Sequence, residues 1–349
     1  MPITAITTCT GPLTVSNADD LTGLCSENPQ QLQRVLAMTG IETRCIAPPG
    51  VTTLDLGEAA ARHLLEKTNT DPAGIDWLLF VTQTPDHFQP CNANLLHHRL
   101  GLPKNTAAID LNQGCSGWVY GLQIAHAQIT AGARRVLLLA GDTISQTLHP
   151  RDRSARPLFG DACSATLIEA GDDPHPPLFH LCSDGSGHRA IKQPAGGFRQ
   201  PLSEATAVES TDADGNVRTP ANLHMNGLEV LNFTLREEPQ AIRNLLAQAG
   251  QSLDELDAIV LHQASRFILD QLIRKLGVPR AKVPSEALAR FGNLSSASIP
   301  SVLGHDLSTQ LQQRSLRLLC SGFGVGLSWG SCLLTLGPLQ CVDTFPFEQ

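Results

Sequence analysis

The chain has 349 residues, of which 42% are apolar and 17% are charged, as in an ordinary globular protein. Its formal net charge of −8 argues against nucleic acid as the main partner, and no apolar run approaches the ~20 residues that span a bilayer. Ten dispersed cysteines, and an N-terminus without a basic region followed by an apolar run, favour a cytoplasmic location.

The first candidate for chemistry is Cys115. Residues 107–111 (Ala-Ala-Ile-Asp-Leu) predict a short strand, Gly114 and Gly117 permit a tight turn, and helical spacing begins near Val119. A thiol at a helix start faces unpaired N–H groups, whose partial positive charge should lower its pKa and favour the nucleophilic thiolate. The alternative is a small buried cysteine packed at a strand–helix corner.

A second strand–helix junction contains His262. The apolar residues 258–261 predict a strand, and the amphipathic segment that follows predicts a helix ending near Gly277. A histidine at the end of such a strand can point into a cleft. It can equally be held in place by backbone groups.

A third junction contains Asn293, which follows Gly292 and precedes a run of small residues that starts a helix. Taken alone, Asn293 could simply cap that helix. Cys115, His262 and Asn293 are scattered along the chain, whereas paired zinc ligands are usually about two to five residues apart. The set therefore indicates a nucleophilic site and no metal site.

The chain also contains an internal repeat. Residues 75–81 (IDWLLFV) resemble residues 256–262 (LDAIVLH), and Leu-Gly-Leu-Pro at 100–103 resembles Leu-Gly-Val-Pro at 276–279. The last two segments are 176 residues apart. Self-similarity at a fixed offset indicates a duplicated structural unit.

The repeat predicts two α/β halves, residues 1–172 and 221–349, related by a pseudo-twofold axis. Moving Cys115 by the same 176 residues brings it within two residues of Asn293. The two residues should therefore lie at symmetry-related helix starts that face one central cleft.

Residues 173–220 form the predicted connection between the halves. Its turn-rich stretches are DDPHPP at 172–177 and GGFRQP at 196–201, and TDADGN at 211–216 is polar. Such composition has little capacity to form a core. The connection could be a mobile lid over the site or a surface crossover.

These motifs resemble the thiolase superfamily, and most closely its β-ketoacyl-ACP synthase III branch. That branch carries a Cys in a D-x-x-x-x-C-x-G-like turn, a His in H-Q-A-N and an Asn in G-N-x-S-x-A-S-x-P. The corresponding segments here are DLNQGCSG at 110–117, HQAS at 262–265 and GNLSSASIP at 292–300. FGD at 159–161 and FGVGLSWG at 323–330 also resemble the branch.

The resemblance implies a thiolase-like α/β fold with layered αβαβα architecture, and an acyltransferase that needs no cofactor beyond its CoA or ACP thioester substrates. Cys115 would be acylated by a thioester, and the backbone N–H groups of Cys115 and Val325 would form the oxyanion hole. His262 and Asn293 would donate to the thioester oxygen of a malonyl-type extender. They would thereby stabilise the enolate that forms when CO2 leaves and that condenses with the acyl group.

The resemblance also implies a homodimer, in which Gln89 lies at the acyl pocket of the partner subunit. In the alternative arrangement Gln89 turns to solvent and Phe88 fills that pocket. Arg153 and Phe323 are the other implied substrate contacts. The implied carrier-protein contacts are Gln263, Arg266, Arg274 and Lys275.

Two departures from the branch leave the primer open. Arg34 stands where many members have an adenine-stacking Trp, and Met38 stands where they have a CoA-contacting Arg. A non-condensing acyltransferase of the same fold would transfer the acyl group from Cys115 to an O, N or C nucleophile. A non-catalytic partner subunit is the third hypothesis. Intact Cys115, His262 and Asn293 argue against the subunit, and Asn293 favours condensation.

Overall fold

The structure is a computed structural model that describes residues 2–22 and 29–348. No helix in these two stretches is long and apolar enough to cross a membrane. The cytoplasmic location stays a prediction.

In chain order, the strands are Ile3–Thr10 (β1), Leu13–Ser16 (β2), Thr43–Ile46 (β3), Trp77–Val81 (β4), Ala107–Leu111 (β5), Arg135–Asp142 (β6), Ala162–Glu169 (β7), Leu178–Ser183 (β8), Ile191–Lys192 (β9), Ser210–Thr211 (β10), Val217–Arg218 (β11), His224–Met225 (β12), Ala258–Leu261 (β13), Leu316–Gly324 (β14), Ser328–Leu336 (β15) and Cys341–Pro346 (β16). The α-helices are Asn17–Thr22 (α1), Pro29–Thr39 (α2), Thr53–Lys67 (α3), Asn92–Arg99 (α4), Gly117–Thr130 (α5), Gly227–Ala249 (α6), Arg266–Leu276 (α7), Glu286–Phe291 (α8), Ser298–His305 (α9) and Ser308–Gln313 (α10).

The two main sheets have the same arrangement of central strands. In the first sheet, β4 pairs with β6 in parallel, and the β6–β7 and β7–β1 pairs are antiparallel. In the second sheet, β13 pairs with β14 in parallel, and the β14–β15 and β15–β8 pairs are antiparallel. This common order and direction confirms the duplication that the repeat predicted.

Two strands belong to sheets other than those that the predicted boundaries imply. The C-terminal strand β16 extends the first sheet by pairing with β1, although it lies in the second half of the sequence. Strand β8 lies within the predicted connection, residues 173–220, and forms an edge of the second sheet. The connection therefore does contribute to a core. The sequence did not predict β8 because the proline-rich residues before it indicate only a turn. A turn does not show which sheet edge the residues after it will pair with.

The elements form the five alternating layers of the predicted αβαβα arrangement. Helices α5 and α9 lie between the sheets, where Trp118 and Val302 are fully buried in one shared core. Helices α3 and α4 cover the outer face of the first sheet, and α6 and α7 cover that of the second. Helix α7 shows why the sequence encodes this: its buried residues repeat every three or four positions and form one apolar stripe.

The starts of the two central helices meet near the middle of the molecule. Helix α5 follows β5 after a five-residue turn, and α9 follows the segment that contains Asn293. A Cβ placed on Gly117 would lie 3.4 Å from the Cβ of Ser296, so the two turns are in contact. The duplicated fold thus brings together turns that are about half a chain apart.

Candidate active site

A cavity of about 450 Å³ is lined by all three residues predicted to be catalytic, Cys115, His262 and Asn293. The surrounding walls are mainly apolar and come from α2, the start of α6 and the start of α7. Met38 and Leu228 are among the wall residues. An apolar channel that ends at a thiol suits a long thioester substrate, since the chain is held by burial and the reacting end meets the polar groups.

Cys115 lies in the predicted turn between β5 and α5, with its Sγ atom 4.0 Å from Oγ of Ser295. The thiol is partly open to the cavity but is otherwise surrounded by protein. This desolvation and the nearby Asp142 carboxylate raise the pKa of Cys115 to about 12. The predicted lowering of the pKa is therefore wrong for the unliganded site, because the loss of solvation outweighs the helix start. The thiol is protonated before substrate binds.

His262 follows directly after β13, and its ring lines the cavity. The Phe323 ring meets the imidazole edge-on, with ring centres 5.3 Å apart. Nδ1 is fully buried and has no hydrogen-bond partner in the described structure, which leaves Nε2 as the nitrogen available to a substrate. Burial lowers the pKa of His262 to about 3, so the imidazole is neutral and can donate one hydrogen bond.

Asn293 lies in a short bridge to the Phe159 segment. Its backbone N–H donates to the carbonyl of Leu158 at 2.8 Å, and its carbonyl accepts from Gly160 N–H at 3.1 Å. Its Oδ1 accepts from the backbone N–H of Ser295 at 2.9 Å. The amide is therefore oriented by its own loop, and its NH2 group remains as the donor. The simple capping role considered for Asn293 accounts for the hydrogen bond of Oδ1 but not for the NH2 group.

The loop that follows β14 covers the thiol. A Cβ on Gly324 would lie 3.0 Å from Sγ of Cys115, so the absence of a side chain allows this close approach. A Cβ on Gly114 would meet the Val325 side chain at 2.4 Å, which shows how tightly the two turns pack. The backbone around Val325 thus lies against the Cys115 turn, as an oxyanion hole requires. The donor role of Val325 stays a prediction.

The remaining implied substrate residues separate into two groups. Phe323 and Arg153 line the same cavity as Cys115, and the Arg153 guanidinium donates to the carbonyl of Asp214 at 2.7 Å. Phe88 and Gln89 instead line a second, surface cavity of about 1060 Å³. Phe88 is 72% exposed, and its ring lies against that of Phe198 with 5.6 Å between ring centres. Within one chain, Phe88 and Gln89 therefore do not reach the thiol cavity.

The implied carrier-protein contacts are also divided. Gln263 is only 1% exposed, and its amide donates to the carbonyl of Leu261 at 2.7 Å, which does not fit a surface contact with another protein. The sequence could not show this, because H-Q-A-S follows a strand whose neighbours are set by the fold. Arg266 is half-buried beside Gly40, whereas Arg274 and Lys275 are exposed at the far end of α7.

Metal-type ligands come together at one place in the described chain, away from the cavity. His63, Cys341 and Asp343 each offer an atom, and these atoms lie within 4.8 Å of one another. The ring of His63 already has a partner, since its Nε2 lies 2.8 Å from a carboxylate oxygen of Asp343. None of the three lines the cavity that holds Cys115.

Two polar residues at the thiol were not among the predicted site residues. Asp142, the last residue of β6, is fully buried, and Ser295 lies next to the thiol. An aspartate two residues after the apolar run 136–140 was the available signal for Asp142, because aspartate is almost never fully buried unless it is paired. Ser295 had no comparable signal within a run of small residues.

The fold and this site define a class: a two-half, thiolase-like α/β enzyme with a cysteine thiol in a cavity between the halves. Two family models match the chain, 3-oxoacyl-[acyl-carrier-protein] synthase III at residues 109–185 and the C-terminal part of the same enzyme at residues 246–336. A β-ketoacyl-[acyl-carrier-protein] synthase III of Streptococcus equi subsp. zooepidemicus is 32% identical over 328 residues, covering 93% of this chain and 96% of that protein.

Two solved structures of similar enzymes have the same fold as this chain. The 3-oxoacyl-(acyl-carrier protein) synthase from Burkholderia xenovorans LB400 superposes with a TM-score of 0.92 at 36% identity, covering 99% of this chain and 97% of that one. The priming β-ketosynthase of the R1128 polyketide pathway gives a TM-score of 0.78 at 28% identity, covering 96% of each chain.

The chain belongs to the 3-oxoacyl-[acyl-carrier-protein] synthase III family of the thiolase superfamily. It is a ketosynthase III-like condensing enzyme, an acyltransferase of the kind that primes fatty acid or polyketide synthesis.

Proposed function

We propose that Cys115 is the residue that carries the acyl group and that His262 and Asn293 serve the condensation. The supporting observation is that these three residues, and Phe323 between them, line one apolar cavity. In the first step the Cys115 sulfur attacks a thioester carbonyl, and the leaving thiol departs through the channel. The N–H groups of Cys115 and Val325 stabilise the tetrahedral oxyanion.

The second step needs two donors that carry no charge. His262 is neutral because burial lowers its pKa to about 3, and the Asn293 amide is held by the Ser295 backbone. Both donate to the thioester oxygen of a malonyl-type extender as CO2 leaves. The enolate carbon then attacks the acyl-Cys115 carbonyl, and the sulfur leaves. Neutral donors stabilise the enolate without forming a tight ion pair with the extender's carboxylate.

The substrates of this proposal are CoA or acyl-carrier-protein thioesters, and no further cofactor takes part. Exposed Arg274 and Lys275 provide positive charge on α7, whose first residues line the channel. Carrier proteins present a phosphopantetheine arm through which a channel of this kind is reached. Arg266, whose neighbours Ser265 and Phe267 line the channel, is the third basic residue of the proposed carrier-protein surface. Gln263 is buried and therefore does not belong to this surface.

The proposed assembly is a homodimer formed along β5. This strand is an edge of the first sheet, and its residue Ile109 is 39% exposed. An unpaired edge with exposed apolar side chains is a ready site for strand pairing with a second copy. Phe88 and Gln89, which do not reach their own cavity, would then be free to reach the partner's. A buried Gln89 amide would favour a primer with a polar end, or one that stops short of it.

Intact-mass measurement tests the proposed function. Wild-type protein incubated with acyl-CoA or acyl-carrier protein should gain one acyl group, and malonyl-carrier protein should then release it with CO2. A non-condensing acyltransferase would gain the group and keep it in the presence of malonyl-carrier protein. A protein that gains no mass with any thioester would contradict the proposal.

Gln89→Phe tests the polar contact with the primer. Acylation rates would be compared for plain and polar acyl thioesters of matched length, with Gln193→Leu, at an exposed residue that lines the same surface cavity, as the control. We expect Gln89→Phe alone to shift the preference toward plain chains. An unchanged order of preference in Gln89→Phe would show that Gln89 does not read the substrate.

A further inference from the structure

A buried acid, Asp142, lies near the proposed nucleophile. Asp142 is fully buried, and its Oδ1 accepts from the backbone N–H of Gln83 at 2.6 Å and from the hydroxyl of Thr82 at 3.2 Å. The hydroxyl of Thr84 is also near, at 3.5 Å from the same oxygen. All of these partners are neutral. A desolvated carboxylate held only by neutral donors keeps a strong tendency to take up a proton.

The second oxygen of Asp142 faces the loop of Asn293. Oδ2 accepts from the Ser296 hydroxyl at 3.4 Å, and the hydroxyl of Ser295 also lies beside the carboxylate. On its other side, Oγ of Ser295 lies 4.0 Å from Sγ of Cys115. Ser295 therefore stands between the thiol and the buried acid.

We propose that Ser295 and Asp142 take up the proton of Cys115 when the enzyme is acylated and return it after condensation. This inference rests on the proposed function of Cys115. It assigns Ser295 as a catalytic residue, because its hydroxyl touches the reacting sulfur. Asp142 acts through Ser295 and is a positioning residue that also holds the proton.

The protons and charges balance over both steps. As the sulfur attacks, its proton passes to Oγ of Ser295, and the Ser295 proton passes to Oδ2 of Asp142. The leaving thiolate departs into the open channel and takes a proton from solvent. In the second step the extender loses CO2, the enolate carbon forms the new C–C bond, and the Cys115 thiolate is expelled. Asp142 then returns its proton through Ser295 to the sulfur.

The other polar group at the site is a poorer acceptor. Burial raises the pKa of Asp142 to about 6, whereas burial lowers the pKa of His262 to about 3. At neutral pH, Asp142 is ionised and accepts a proton far more readily than the neutral imidazole does. The titratable groups that face Asp142 are the thiols of Cys115 and Cys163, and burial, together with the Asp142 charge, raises the pKa of each.

The test compares Asp142→Asn, Ser295→Ala and the double variant in single-turnover acylation of the full-length protein. We expect each single variant to acylate about 10²-fold more slowly or worse, and the double variant to lose nothing further, since both act on one proton path. Asp306→Asn is the matched control, because Asp306 is a partly buried acid whose pKa is also raised to about 6 but whose carboxylate accepts from the backbone N–H groups of Glu286 and Ala287, on α8. Its acylation rate should be unchanged.

Two further readouts distinguish proton transfer from structural support. The wild-type acylation rate should rise as pH passes about 6, the pKa of Asp142, and this rise should be absent in Asp142→Asn. The absorbance of the thiolate should show a lower Cys115 pKa in Asp142→Asn, because a neighbouring negative charge is gone. The variant should thus contain more thiolate and yet acylate more slowly.

Acylation by Asp142→Asn at the wild-type rate or faster, together with a lower thiol pKa, would overturn the proposal and leave Asp142 a purely electrostatic role. If Asp142→Asn does not fold, as judged by circular dichroism, Ser295→Ala decides the question: wild-type acylation in that variant overturns the path. A wild-type protein that takes up no acyl group would instead contradict the proposed function.

Discussion

In the first half, the turn before the central helix presents a thiol, whereas in the second half the equivalent turn presents an amide. Four strands of the first sheet have the same arrangement as the four strands of the second, with one parallel and two antiparallel pairs among each four. The duplicated scaffold thus fixes where polar groups meet, and the residue at each turn decides which step of the reaction it serves. The proposed nucleophile comes from one half, and the proposed enolate donors come from the other.

The outer helices of the two halves differ in a second way. On α3 the face toward the first sheet is apolar or small, with Leu54, Ala60 and Leu64 fully buried. On α6 the corresponding face includes Thr234 and Glu238, which are also fully buried. Neither carboxylate oxygen of Glu238 has a hydrogen-bond partner in the described structure. Helix α6 therefore carries a fully buried carboxyl group on this face, whereas the acids of α3 are not fully buried.

The largest expected effect comes from removing the nucleophile of the first half. Cys115→Ala should abolish acylation and condensation together, because both steps pass through the acyl-cysteine. Intact mass and peptide mapping after incubation with an acyl thioester would measure this. Cys163→Ala and Cys320→Ala are the controls, since both thiols are buried in the core and should leave acylation intact. An acyl group found on any other peptide would refute the assignment.

Removing the donors of the second half should separate the two steps. His262→Ala and Asn293→Ala should slow malonyl decarboxylation by on the order of 10²–10³, the usual cost of one such donor, with a smaller effect on acylation. Radiolabelled CO2 release and single-turnover acylation would be measured side by side. Leu294→Ala, beside Asn293 but outside the cavity lining, controls for disturbance of the loop. Full condensation activity in Asn293→Ala would contradict the proposal that Asn293 serves the condensation step.

The buried acid of α6 should make stability depend on pH. Burial raises the pKa of Glu238 from 4.5 to about 8, so the folded state holds a proton that the unfolded state loses between these values. Wild-type stability should therefore fall as pH rises from 4.5 to about 8 and change no further from this source above that. The full difference corresponds to about 5 kcal/mol.

Glu238→Gln should remove this dependence, because the amide does not ionise. Denaturant unfolding at pH 5, 7 and 9 should show the variant gaining on wild type as pH rises through the range set by the two pKa values. Glu237→Gln is the matched control: the neighbouring acid is partly exposed and pairs with Arg236, so its loss should change little. A constant gap between Glu238→Gln and wild type across pH would show that Glu238 is ionised in the folded protein.

The smallest effect is expected at the surface of α7. Arg274→Ala with Lys275→Ala should raise the KM for malonyl-carrier protein about 3- to 10-fold, because exposed charges mainly assist association. The effect should shrink at high salt, and the rate with malonyl-pantetheine should be unchanged. Arg134→Ala, an exposed arginine on the first half, is the control. Equal losses with the carrier protein and with the small thioester would place the two residues outside the carrier-protein surface.

Much of the site was readable from the sequence because its signals are local. The apolar runs at 107–111 and 258–261 coincide with β5 and β13, and α7 ends one residue before Gly277. The repeat predicted that the turns of Cys115 and Asn293 would meet, and Gly117 and Ser296 are in contact. Each of these inferences needed only the spacing of apolar residues, turn residues and two similar segments.

Other features depend on contacts between distant segments. Ser295 is 180 residues from Cys115, and Ser296 is 154 residues from Asp142, so no local pattern could pair them. The burial of Gln263 follows from packing against the α9 start, where its N–H donates to Ser298 at 2.7 Å. Strand β8 joins the second sheet and β16 joins the first, and both placements depend on which sheet edges were free to pair.

By itself, the sequence determined the duplicated α/β architecture, the three polar residues at its helix starts and the kind of chemistry that they support. Only the tertiary structure decided their protonation. A helix start would favour a thiolate at Cys115, yet enclosure by the second half and by Asp142 raises its pKa to about 12, and burial keeps His262 neutral. The reason is that solvation of a charge depends on every segment packed around it, whereas the position of a turn depends on the residues within it.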